Sequence, residues 1–168
     1  MTEREKSQTS SGKLNTYLEK NKHVLVIGLV AAIVLLVGFI VVSNVISKGT
    51  VKNLTAIDEI SYTLTNESAS LEDAELDARR SAALESLAAY TSKGGIVGAR
   101  ANLLCAELVY QQTKYEEAVT YWKAAASKAP KSYLAPLALY NAATCYEELH
   151  NLEEAAANYK ASADNKDF

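Results

Sequence analysis

The side chains that carry out catalysis are few in this chain, and we recognise no nucleophile–base pair and no set of metal ligands. The two histidines are His23 and His150, and the sequence has no CxxC pair, no paired histidines and no glycine-rich phosphate loop. The acidic pairs Glu116-Glu117 and Glu153-Glu154 recur at equivalent starts of predicted helices, where solvated carboxylates suit the helix dipole. We therefore predict that the protein is not an enzyme and uses no catalytic residue, cofactor or metal ion.

The two cysteines, Cys105 and Cys145, each lie inside an apolar helical pattern. Two cysteines are too few for a disulfide framework. We expect two buried thiols that act as small apolar side chains. A single disulfide between adjacent helices is the alternative, if this part of the chain faces an oxidising compartment.

The strongest structural signal is an apolar run near the N-terminus. Residues 24–42 contain 19 residues without a charge or a proline, and the uncharged run continues to Ser47. A helix of this length spans roughly 28 Å, close to the ~30 Å hydrocarbon core of a bilayer. We predict a transmembrane helix over residues 24–47 that contacts the lipid bilayer. A cleaved signal peptide is the alternative, although its apolar region is usually only about 7 to 15 residues long.

Charges on either side of the run indicate its orientation. Residues 1–23 carry five lysine and arginine residues against three glutamates, whereas the other flank has Lys48 and Lys52 followed by acids. The positive-inside rule then favours a single-pass protein of the inner (cytoplasmic) membrane, with a cytoplasmic N-terminus and a periplasmic C-terminal domain. We expect residues 1–12, which are polar and small, to be disordered, and residues 13–23 to form a juxtamembrane lead-in.

Beyond the run, composition predicts an acidic, all-helical domain. Residues 48–168 carry 12 lysine and arginine residues against 17 acidic residues, a balance that argues against nucleic acid as a partner. Apolar residues at steps of three and four predict one amphipathic helix from Lys48 to about Asn66 and another from Ser70 to about Ser92. Gly94-Gly95 should end the second helix. Residues 48–95 thus form a helical pair, a linker or a degenerate repeat.

The rest of the chain contains two near-copies of one helical hairpin, residues 99–132 and 136–168. The first copy predicts helices at Ala99–Gln112 and Tyr115–Lys128 around a turn at Thr113-Lys114. Its pattern Ala118-x-x-x-Trp122-x-x-Ala125 recurs 37 residues later as Ala155-x-x-x-Tyr159-x-x-Ser162. We interpret the alanines as points where two helices cross closely, and the aromatic residues as filling the space between hairpins.

This pattern resembles the tetratricopeptide repeat (TPR), whose usual length is about 34 residues. The extra three residues fit in the turn between Pro130 and Ala135. The family's leading aromatic residue is replaced by Asn102 in one copy and Leu139 in the other. The resemblance implies an all-α fold in which a transmembrane helix precedes an α-solenoid of about two TPR units and a further helical pair. Because such a stack usually needs at least three units and polar caps, we expect either that a partner or a second copy covers its open end, or that the sequence continues beyond Phe168.

The resemblance also implies a partner-binding surface, since the first helix of each repeat lines the concave face in this family. The residues at those positions are Arg100, Leu103, Glu107, Tyr110, Gln111, Leu137, Tyr140, Thr144, Glu147 and Glu148. They combine aromatic and acidic side chains, which suits an extended or helical polypeptide with basic and apolar residues. The alternative is that the helices of residues 48–95 cover much of this face.

The architecture is similar to small bacterial inner-membrane proteins with one anchor and a periplasmic TPR domain, which associate with the Sec translocon and periplasmic chaperones. This similarity implies a protein-interaction module that is ancillary to translocation, chaperoning or envelope assembly, with proteins or peptide segments as partners. One alternative is a receptor or adaptor on an organelle surface, facing the cytosol. Another is a structural scaffold in which the protein forms homo-oligomers.

Overall fold

The computed structural model describes residues 3–66, 68 and 71–165 of the chain, with side chains from Tyr17 onward. Within these residues all regular secondary structure is helical, which confirms the predicted all-α class. The helices are α1 (Glu3–Thr65), α2 (Asp73–Thr91), α3 (Gly95–Gln111), α4 (Tyr115–Lys128), α5 (Leu134–Glu148) and α6 (Leu152–Ala163). The chain divides into two compact units, residues 1–48 and 49–168.

The first unit consists of the N-terminal part of α1. Its apolar side chains from Val24 to Ile46 are exposed, and within the described residues α1 is the one helix long and apolar enough to span a membrane. The helix begins at Glu3, so it includes most of the segment for which composition predicts disorder. That segment has no proline to interrupt a helix. Residues 1 and 2 lie outside the described part of the chain.

In the second unit, the C-terminal part of α1 packs with α2 and α3. Ile57 and Leu87 are fully buried in a shared apolar cluster with Val97, and Leu54, Ile60 and Leu64 pack around it. These α1 residues follow the three- and four-residue steps of the predicted amphipathic helix. The helix predicted from Ser70 begins instead at Asp73, with Glu72 at the N-cap position, and Ser70 itself lies outside the described residues.

The junction between α2 and α3 is held by a buried amide. Helix α3 begins at Gly95, four residues before the predicted start, with Gly94 as its N-cap. Asn102 is 3% exposed, and its Nδ2 donates to the carbonyl oxygens of Thr91 (2.9 Å) and Gly98 (2.7 Å). Asn102 therefore ties the last residue of α2 to α3, which explains a polar side chain where the TPR pattern has an aromatic one.

Helices α3 to α6 form two consecutive hairpins with matching turns. In the first turn the N–H of Lys114 donates to the Val109 carbonyl, and 37 residues later the N–H of Asn151 donates to that of Tyr146. The residues before these donors, Thr113 and His150, have positive φ angles of 58° and 56°. Both turns thus close their first helix with the same left-handed C-terminal motif, so the repeat extends to backbone geometry.

A second apolar cluster lies between the hairpins. Ala106 and Ala118 are fully buried there, as expected for a close helix crossing, and Trp122 is 3% exposed among residues of α3, α4 and α5. Tyr159, the counterpart of Trp122, is only half-buried. Its ring lies 5.1 Å from that of Tyr140, and its hydroxyl donates to Glu147 at 2.8 Å. The expected role of Tyr159 between hairpins is therefore replaced by contacts to α5 of its own hairpin.

Candidate functional site

An open groove of about 460 Å³ lies between α3 and α5. Its α3 wall is formed by Glu107, Tyr110 and Gln111, and its α5 wall by Asn141 and Thr144. The first three residues lie at steps of three and one along α3, so one helix face presents them together. Four of the ten residues expected on the concave face therefore line one groove: Glu107, Tyr110, Gln111 and Thr144.

The sixth residue that lines the groove is Trp122 of α4. Its indole Nε1 is buried and has no hydrogen-bond partner of good geometry among the described residues. The neighbouring thiol of Cys145 is a weak hydrogen-bond acceptor. Burial raises the pKa of this thiol to about 11, and the Trp122 N–H lowers the same pKa by a smaller amount. Trp122 therefore belongs both to the groove lining and to the apolar cluster between the hairpins.

One acidic side chain, Glu107, lines the groove, and a second, Glu148, lies on the other wall helix four residues after Thr144. The protein surroundings desolvate Glu107 and raise its pKa, and the charge of Arg100 offsets this only in part. Arg100 itself forms an ion pair with Asp58 of α1, with Nη2 and Oδ1 2.8 Å apart. On α5, Glu148 lies close enough to raise the pKa of Tyr110. Neither Glu107 nor Glu148 forms an ion pair within the part of the chain that the structure describes.

Tyr110 lines the groove together with Glu107. Its ring packs edge-on against Tyr115 of α4, with ring centroids 5.5 Å apart, and 37% of the residue stays exposed. Burial raises the pKa of its hydroxyl first, and Glu148 adds to this effect. The phenol is therefore neutral at physiological pH and offers a hydroxyl donor together with an exposed part of its ring.

The other residues expected on the concave face lie apart from the groove lining. Arg100 is half-buried by its contact with α1, and Leu103 packs against the second apolar cluster. Leu137 is exposed on α5. Tyr140 and Glu147 contact Tyr159 instead. The hydrogen bond to Glu147 raises the pKa of Tyr159 to about 12. The preceding helices therefore contact this face at Arg100, through Asp58 of α1, and at Gln111, through Arg80 of α2.

Asn141 and Trp122 were not among the residues predicted for the site. Asn141 lies three residues before Thr144 and so shares its face of α5, a spacing that is readable from the sequence. Trp122 was predicted to fill space between the hairpins. Only the structure places its edge at the floor of a groove.

The cysteines and acidic residues show no further chemistry. Cys105 and Cys145 are free, buried, and located in different apolar clusters, and burial raises the pKa of Cys105 to about 12. A thiol with such a pKa stays protonated and unreactive at neutral pH. Among the described residues no group of three or more histidine, cysteine or acidic side chains is placed to hold a metal ion.

Among known proteins, a TPR repeat-containing protein of Treponema pallidum (strain Nichols) is 34% identical to this chain over 87 residues. The matched segment covers 52% of this chain, which spans 36% of the length of that relative. No protein-family model matches the chain, and no solved structure matches it significantly. The similarity and the all-helical hairpins together support a TPR-like protein, and thus a protein-interaction module of a class that is generally not enzymatic.

Proposed function

We propose that this protein is a membrane-anchored TPR-like interaction module that holds polypeptide segments in the groove between α3 and α5. The observation that carries the proposal is the groove itself, which combines aromatic side chains, hydrogen-bonding side chains on both walls and the carboxylate of Glu107, which forms no ion pair among the described residues. These features suit a polypeptide ligand, because its backbone can hydrogen-bond to Gln111, Asn141 and Thr144 while its side chains meet Tyr110 and Trp122.

The anchoring proposal rests on α1. Its apolar stretch is exposed and long enough to cross a bilayer, and the basic N-terminal flank favours an N-terminus in the cytoplasm. The second unit would then face the periplasm from the inner membrane. In this position the protein would act as an ancillary factor for translocation, chaperoning or envelope assembly, with client polypeptides as its partners.

A purification of the full chain from native membranes tests this proposal. The matched variant carries Glu107→Arg and Tyr110→Ala, which reverse a charge and remove the exposed ring without touching the buried cluster. Translocon components or periplasmic folding factors recovered by the wild type, and lost in the variant, would support the ancillary role. Recovery of the protein alone, in stoichiometric multiples, would instead indicate a self-associating scaffold.

Orientation requires a separate test. Protease added to spheroplasts should digest the second unit, while intact cells should protect it. Digestion only after the inner membrane is permeabilised would contradict the periplasmic location and favour a cytosol-facing adaptor.

A further inference from the structure

Two carboxylates, Glu107 and Glu148, are carried by the two helices that form the walls of the groove. Glu107 lines the groove from α3, and Glu148 lies on α5 four residues after Thr144, so it shares the face of α5 that lines the groove. Desolvation raises the pKa of Glu107, and Arg100, whose charge offsets this in part, already forms an ion pair with Asp58. The charge of Glu107 is thus partly desolvated and only weakly compensated, which is an unfavourable state for the free protein.

A cationic ligand would relieve this state. The groove lining contains Glu107 and no lysine or arginine, so its charge is complementary to a positively charged group. Tyr110 lines the groove together with Glu107 and is 37% exposed, and an ammonium or guanidinium group over an exposed aromatic ring gains a cation–π interaction. Glu107 and Tyr110 therefore present a carboxylate and an aromatic ring to the same groove, and Glu148 lies four residues after Thr144 on the same face of α5.

From these observations we infer that the groove recognises a lysine or arginine side chain of an extended polypeptide segment. The cation lies between Glu107 and Glu148 against Tyr110. This inference rests on the proposed polypeptide-binding function and specifies its partner class: segments with basic residues bind, and acidic segments are excluded. Of the neutral polar wall residues, Gln111 accepts a hydrogen bond from Arg80 at its Oε1, and the Thr144 hydroxyl donates to the Asn141 carbonyl. The ligand backbone would therefore use the amide N–H groups of Gln111 and the lone pairs of the Thr144 oxygen.

The single tryptophan of the chain makes the inference measurable. Trp122 lines the groove, and because the sequence has one tryptophan, its fluorescence reports on this site alone. The probe is an acetylated and amidated nonapeptide of alternating lysine, leucine and alanine, titrated into the full chain in a mild detergent. Its partner probe has glutamate in place of lysine. The basic peptide should change the Trp122 emission saturably, and the acidic peptide should not.

A matched pair of double variants separates local recognition from the general acidity of the domain. Glu107→Gln with Glu148→Gln should weaken binding of the basic peptide by about tenfold or more, as expected for two lost charge contacts. Glu153→Gln with Glu154→Gln removes the same charge from the first turn of α6 and should leave the affinity within about twofold. Tyr110→Leu should weaken binding by about threefold.

Equal weakening by the two double variants would overturn the inference, since binding would then follow net charge alone. Binding of the acidic peptide in preference to the basic one would also overturn it, while retaining a polypeptide-binding groove. Absence of binding by either peptide would reject the cation site, whereas the proposed function would still be decided by the membrane purification and its groove variant.

Discussion

Replacing Asn102 with leucine tests the junction on which the groove depends. Leucine has a similar size, and it occupies the equivalent position of the second repeat as Leu139. The substitution therefore leaves no large cavity but removes the two hydrogen bonds to the carbonyls of Thr91 and Gly98. The Gly98 carbonyl lies within α3 and keeps its helical bond, whereas the Thr91 carbonyl loses its buried donor.

The expected cost follows from these contacts. Each hydrogen bond contributes about 1 kcal/mol, so Asn102→Leu should lower the free energy of unfolding by about 2 kcal/mol. For a unit of this size the melting temperature should fall by about 6–10 °C. Urea unfolding followed by Trp122 fluorescence measures this directly, because Trp122 is 3% exposed in the folded protein and α1 contributes no signal.

Asn158 provides the matched control. It is also buried, but its Nδ2 donates a single bond, to the Glu154 carbonyl of its own helix. Asn158→Leu should therefore cost less than about 1 kcal/mol. Wild-type stability for Asn102→Leu, or an equal loss in both variants, would refute the reasoning that Asn102 joins α2 to α3.

The remaining predictions concern two backbone positions and one carboxylate. A methyl group at Gly98 would overlap the carbonyl oxygen of Lys93, so Gly98→Ala should lower the free energy of unfolding by about 2–3 kcal/mol. Gly49 lies in open space within α1, so Gly49→Ala should raise the free energy of unfolding by up to about 1 kcal/mol. Thr113→Asn should stabilise by about 0.5–1 kcal/mol, since a β-branched residue is strained at a φ of 58°. Glu107→Gln should raise the melting temperature at pH 7 while weakening binding of the basic peptide.

The stabilisation expected for Glu107→Gln should depend on pH. The folded protein raises the pKa of Glu107 above the ordinary value of 4.5, so ionisation opposes folding as the pH rises past 4.5 and through the raised pKa. The stabilisation by Glu107→Gln should therefore vanish below pH 4.5, where the carboxyl is protonated in both states. A gain that persists at pH 3.5 would contradict this explanation. Equal effects of Gly98→Ala and Gly49→Ala on stability would contradict the prediction about the two glycines. A loss of stability in Thr113→Asn would contradict the prediction about the strained turn residue.

The repeated hairpins could be predicted because their determinants are local. Small residues such as Ala106 and Ala118 recur at helix crossings. The turns of the two copies also have the same hydrogen bond at positions 37 residues apart, from Lys114 to Val109 and from Asn151 to Tyr146. The start of α3 at Gly95 could not be predicted in the same way, and the sequence pattern placed it at Ala99. A glycine pair ends one helix as readily as it begins the next, and here Gly94 serves as the N-cap of α3.

The site was predicted only in part, because helical spacing selects a face but not the groups that pack against it. Arg100 and Glu107 share a face of α3, yet Arg100 is engaged by Asp58, 42 residues earlier in the chain. The spacing likewise could not show that Tyr140 pairs with Tyr159 instead of lining the groove. Asn102 departs from the repeat pattern for a reason that lies in the Thr91 carbonyl of another helix.

Photo-crosslinking from Tyr110 tests the central claim most directly. A photoreactive amino acid replaces Tyr110 in the full chain in living cells, and in a parallel strain it replaces Tyr133, which is exposed but does not line the groove. Covalent adducts to other polypeptides should form from position 110, disappear when Glu107 is changed to arginine, and be absent from position 133. Adducts of equal yield from both positions, or none from position 110, would contradict a polypeptide-binding groove between α3 and α5.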